Sequence, residues 1–113
     1  MANLYKNVKL DLSTTNLTNI ITAPTGSTII VKSILISEDS GSTPNITITL
    51  VESSNIFSIF KSKALSANQT LELLDKPLVI QAGEILKAQA SAANQLHVIV
   101  SYLETVSYTH LTL

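Results

Sequence analysis

The side chains able to move a proton near neutral pH are His97 and His110. His97 lies in an alternating run beside Leu96 and Val98, with Ile99 and Leu103 on its own face. A catalytic triad needs a histidine, a nucleophile and an orienting carboxylate. Ser and Asp are plentiful, so the composition permits one, yet no G-x-S-x-G elbow occurs. The pattern therefore assigns His97 a structural or exposed place on a strand. Glu38 and Asp39 stand before Gly41 in EDSGSTPN, the beginnings of a calcium loop. Calcium takes about six to eight oxygens, and the D-x-D spacing is missing, so the segment reads as a solvated loop. Paired carboxylates for glycoside hydrolysis would have to come from distant strands. The chain has no P-loop, no dinucleotide fingerprint and no Cys, and no cofactor or metal is expected. Tyr5, Tyr102, Phe57 and Phe60 are few for an aromatic sugar platform, and there is no Trp.

The elements that would position such residues are short and numerous. Apolar/polar alternation recurs over 4–12, 29–37, 46–51, 56–60, 71–74, 78–80, 85–90 and 96–103, with a shorter run at 16–22. Gly, Pro, Asn and Ser separate the runs, and none shows sustained helical periodicity. The pattern predicts an all-β fold, an antiparallel β-sandwich, jelly-roll-like, of about eight strands. The chain of 113 residues suffices for one domain with its own core.

Composition narrows the function. Charged residues make up 13% of the chain and the net charge is −1, so a free subunit would tend to associate. All seven basic residues are Lys, which removes the bidentate fork suited to phosphate; no nucleic-acid partner is expected. No apolar run approaches the ~20 residues of a membrane-spanning helix, and no membrane partner is expected. The start, MANLYK, lacks a signal-peptide core and enters a strand directly, which predicts assembly in a cytoplasm.

The run at 27–37 is apolar on both faces if alternation is strict. Ile30, Ile34 and Ile36 then share one face with Thr28 and Lys32, and Ile29, Val31 and Leu35 share the other. A strand covered on both sides is central, and the second face is expected to meet another subunit. Ile29, Val31 and Leu35 are the expected contact residues, with Leu4, Val8 and Leu10 from the first strand. Period-2 patterning does not say which face is inward, so core and interface could be exchanged.

Four segments carry a family resemblance: MANLYKNVKLDL, APTGSTIIVKSILISEDSG, IFSIFKSKALSANQTLELLDKPLVIQAGEILKAQA and NQLHVIVSYLE. The stretch from Tyr5 to Glu104 resembles small virion structural proteins of marine tailed phages, of the cyanophage and pelagiphage kind. The resemblance implies a β-sandwich or jelly-roll subunit of a head decoration, neck or tail, located in the virion and contacting itself and other virion proteins. It transfers no functional residues. Residues 106–113, VSYTHLTL, resemble the in-frame translation of a transposase adapter used in sequencing libraries. On that resemblance the native domain spans 1–105, with 106–113 a non-native tail. Two functions follow from different classes. The first is a virion structural protein acting by subunit assembly, with a homo-oligomer as its working form. The alternative is a carbohydrate- or host-surface-binding sandwich that presents loops such as 38–45 and 53–55 to a glycan.

Overall fold

The computed structural model describes residues 2–106, and they form nine strands and no helix. The strands are β1 (Ala2–Leu12), β2 (Thr18–Thr22), β3 (Ser27–Glu38), β4 (Asn45–Glu52), β5 (Asn55–Ala64), β6 (Thr70–Glu72), β7 (Leu78–Ile80), β8 (Ile85–Ala90) and β9 (Leu96–Val106). The expected non-native tail lies outside the described residues except for Val106, which is the last residue of β9 and pairs with Ala2 and Ser27.

Two antiparallel sheets face each other. One has the order β1-β9-β3-β6, with β7 also on β3; the other has the order β2-β8-β4-β5. The pairings nest: β1 with β9, β2 with β8, β3 with β6 and β7, β4 with β5. A single long hairpin gives this nesting when it is rolled over on itself. Its tip is the two-residue turn Ser53-Ser54 between Glu52 and Asn55, where Ser53 takes a φ of 54°. The result is a two-sheet antiparallel sandwich, with β6 and β7 serving as one interrupted strand beside β3. Low-charge, β-branched runs of this kind gain by packing two pleated faces together.

The core lies between the sheets. Leu12, Leu96, Val98, Val100, Ile29, Val31, Ile34, Ile36 and Ile80 come from the first sheet, and Ile21, Ile46, Ile48, Leu86, Ala88 and Ala90 from the second. Ile29 and Val31 therefore belong to the subunit's own interior, at 1% and 0% exposure, and not to a subunit contact as strict alternation suggested. The physical reason is a β-bulge. The register of β3 on β9 passes from Val31↔Tyr102 to Ser33↔Ser101, leaving Lys32 as the extra residue. One extra residue reverses the parity of everything after it. Ile29 and Val31 before the bulge, and Ile34 and Ile36 after it, consequently all point inward. Ile30 and Leu35 point outward.

Gly83, at φ 87°, turns a corner between the sheets and does not close a hairpin, because β7 and β8 lie in different layers. Gly26, at φ 83°, makes the matching corner from β2 to β3, closed by the Ser27 N–H donating to the Pro24 carbonyl at 3.1 Å. Thr49 is 5% exposed, and its hydroxyl has no hydrogen-bond partner among the described residues. Val8 and Leu10 face inward and pack partly buried against the core, while Leu4 lies beyond the core at 45% exposure.

The bulge can be tested by truncation on either side of it. Ile34→Ala removes a fully buried side chain and is expected to cost about 2–5 kcal/mol in urea denaturation. Leu35→Ala, on the outer face, is expected to cost less than about half of that. The opposite ranking would return Leu35 to the core side.

Candidate assembly surface

The outer face of the five-stranded sheet is arranged in rows by the register of its strands. Tyr5, Leu103, Ile30 and Val79 stand opposite one another across β1, β9, β3 and β7. Asn7, Ser101 and Ser33 form the next row. Lys9, Ile99, Leu35 and Glu72 form the one after, then Asp11, His97, Ser37 and Thr70. Rows on one face are about 7 Å apart, two residues along a strand. Apolar side chains thus flank a row of small polar ones. Tyr5 is 81% exposed and Val79 51%.

Small side chains in a row leave a depression. A concavity of about 360 Å³ opens here, lined by Tyr5, Lys6, Asn7, Lys32, Ser101 and Tyr102. Lys32 reaches it because the bulge turns this residue out of the core parity. The Lys6 ammonium is bound to the Glu104 carboxylate at 2.9 Å, and Ser27 Oγ donates to the same carboxylate at 3.1 Å. Lys32 forms no ion pair among the described residues.

A second exposed apolar feature lies at the far flank. β5 is the last strand of its sheet, with one edge unpaired among the described residues. Residues 52–58 at the hairpin tip are all exposed, with Ile56 at 63% and Phe57 at 54%. A long free edge with large apolar side chains is a template for pairing with another chain.

The candidate residues of the sequence distribute between these places. Leu35 is half-buried on the outer face, and Leu4 is exposed at the end of β1. Ile29, Val31, Val8 and Leu10 are withdrawn from the surface wholly or in part. Tyr5, Ile30, Val79, Ile56 and Phe57 are not among those candidates, although the 53–55 turn is one of the expected presenting loops. For β3 the missing signal was the bulge, which no residue type announces; Lys32 inside an apolar run was the only hint.

Two carboxylate clusters hold the loops beside this face. Glu38 ends β3 at 2% exposure and is no part of a solvated loop. Its carboxylate accepts from the Ser40 hydroxyl and from the backbone N–H groups of Asn68 at 2.9 Å, Ser40 at 3.0 Å and Gly41 at 3.0 Å. The Ser40 hydroxyl, and after it these N–H groups, lower its pKa to about 2 against the opposing effect of burial. His97 bridges Asp11 on β1 through Nδ1 and Asp39 after β3 through Nε2, the latter at 3.0 Å. The Asp11 hydrogen bond raises its pKa most, with Asp39 adding to it and burial opposing. Both ring nitrogens are engaged by carboxylates, so the group works as a clamp across three segments.

No protein-family model matches the chain, and no curated protein matches it. Two solved structures resemble its fold, each described as a pentameric capsid protein isolated from metagenomic phage sequences. Both have a TM-score of 0.46 and 19% identity over 90% of this chain. The chain spans 59% of the length of one and 64% of the other.

The two clusters act in opposite pH ranges. The lowered pKa of Glu38 gives stability that is present above its ordinary value of 4.5 and lost as the pH falls toward about 2. Glu38→Gln is expected to flatten that acid limb in melts from pH 7 downward and to lower the melting temperature at pH 7. The raised pKa of His97 gives stability fully present below its ordinary 6.5 and lost as the pH rises through the higher folded value. Because the three side chains are 41–79% exposed, the loss should stay under about 1 kcal/mol. It should vanish in His97→Gln; an unchanged alkaline slope in that variant would remove the clamp from the account.

Proposed function

We propose that this chain is a virion structural protein of a phage, acting by association of identical subunits through apolar surface that the single subunit leaves uncovered. The observation that carries the reading is a pair of apolar features the subunit leaves uncovered: the Tyr5–Leu103–Ile30–Val79 row across the outer sheet face, exposed at Tyr5 and Val79, and the Ile56–Phe57 hairpin tip. Apolar surface removed from water returns roughly 25 cal/mol per Å² before the costs of association. The low charge of the chain supports the same reading, since little repels a second copy. So does the resemblance of residues 5–104 to small phage virion proteins. Head decoration, neck and tail are all compatible positions, and contacts with other virion proteins would add to the self-contact.

A glycan-binding module is the second reading. The specific observation in its favour is the concavity with two tyrosines, an asparagine, a serine and two lysines around it. Its size is at the lower end for ligand pockets, which run about 300–1,000 Å³.

Sedimentation velocity of the full chain across a hundredfold concentration range separates the two. A discrete homo-oligomer at micromolar concentration is expected. A chain that stays monomeric throughout, while a glycan array gives a specific hit, would overturn the structural reading.

A further inference from the structure

We infer that the β4–β5 hairpin tip of one copy seats in the Lys32 concavity of the next, so that subunits join head to tail. This deepens the proposed self-assembly by naming the two surfaces that meet.

Charge is compatible with the pair: Lys32 is one of six lysines that form no ion pair among the described residues, and it is the one of them that lines the concavity. Of the eight carboxylates, Glu38, Glu72, Glu84, Glu104, Asp11 and Asp39 are held by side-chain hydrogen bonds inside the subunit. Glu52 and Asp75 are the two without such a partner among the described residues. Glu52 is exposed at the tip of the hairpin, directly before Ser53-Ser54. The concavity offers the complementary charge: Lys6 is already neutralised by Glu104, whereas Lys32 is turned into it by the bulge with no ion pair among the described residues. A Glu52 carboxylate placed at Lys32 would meet an ammonium that its own subunit leaves unanswered.

Shape and polarity agree. The apolar residues next to Glu52 along the hairpin are Ile56 and Phe57, and the apolar wall beside Lys32 is Tyr5 with the row running to Val79. The concavity's 360 Å³ takes a few side chains and not a whole element, which suits a two-residue turn.

Position makes the contact directional. β1 packs on β2 at one flank of the sandwich, and β5 is at the opposite end of the β2-β8-β4-β5 sheet. Socket and tip are thus on opposite flanks of the molecule. They also lie toward the same end of it. Ala23 and the 83–84 corner bond each other there, at 3.0 and 2.9 Å, and Val51 pairs with Ile85. Tip and socket are different surfaces, so the contact is heterologous and generates a ring where the rotation closes.

Charge reversal tests the assignment by sedimentation velocity on the full chain. Lys32→Glu and Glu52→Lys are both exposed changes and should leave the melting temperature within a few degrees. Each alone is expected to weaken association by about tenfold or more. The double variant, which restores opposite charges, is expected to return to within about threefold of the parent chain. Phe57→Ser should weaken association without any rescue by the charge swap. If the oligomer persists unchanged in both single variants, the hairpin–socket contact is overturned while self-assembly stands. A parent chain that is monomeric overturns both. A monomer whose Tyr5 and Lys32 resonances shift on titration with an oligouronate, and do not shift in Lys32→Glu, assigns the concavity to an acidic sugar instead.

Discussion

The extra residue at Lys32 is the constraint on which the rest of this structure depends. β3 is the central strand of its sheet, paired with β9 on one side and with β6 and β7 on the other. Without the bulge, either Ile29 and Val31 or Ile34 and Ile36 would face away from the core, at the cost of several buried β-branched side chains. With it, all four stay between the sheets and a lysine is expelled onto the outer surface. The same local irregularity therefore completes the interior and puts a charge on the exterior. The cost is a break in the ladder. On the other edge of β3, Glu72 fills a different gap: its carboxylate accepts from Ile34 N–H at 2.9 Å, from Leu74 N–H at 3.1 Å and from the Ser33 hydroxyl, between β6 and β7.

A similar economy governs the other acids. Glu38 is a buried carboxylate that holds three backbone N–H groups and a hydroxyl at the junction of the 39–44 and 65–69 connections. Glu84 accepts from Gln81 N–H at 2.7 Å in the corner turn. Three of the eight carboxylates, Glu38, Glu72 and Glu84, accept from backbone N–H groups where strand ladders stop and those donors would otherwise be orphaned. That use explains why acids in polar segments of the sequence looked like solvated residues. Glu38 in EDSG carries the same residue types whether its side chain points at water or back at its own loop.

Much of the fold was legible because alternation reports half-buried pleats directly. The strands over 4–12, 46–51, 85–90 and 96–103 keep a single parity over those residues, and there the inward set is the one alternation gives: Leu10 and Leu12, Ile46 and Ile48, Leu86 and Ala88, Val98 and Val100. Legibility failed where parity breaks. β3 carries a bulge at Lys32, β5 carries the extra residues of two register shifts against β4, and β2 shifts between Asn19 and Ile21. The assignment of contact residues depended on β3, so Ile29 and Val31 were placed outside when they are inside. A glycine such as Gly83 marks a turn, but residue types cannot distinguish a hairpin from a corner that passes to the opposite sheet. Only the pairing partners decide that, and those are distant in sequence.

The rolled hairpin also explains why the surfaces left over are unlike one another. Rolling a hairpin places its two open ends, β1 and β9, side by side in one sheet, and carries its closed tip to the far edge of the other. The open end contributes a broad pleated face, and the tip contributes a narrow projection with an unpaired edge. The two features cannot satisfy each other within one subunit, because the core that separates them is what the fold exists to bury. A broad face with a depression and a narrow apolar tip on opposite flanks favour directional contacts over a face-to-face dimer. Under the proposed hairpin–socket contact, subunits would add by repetition, and whether they close depends on the angle between tip and socket.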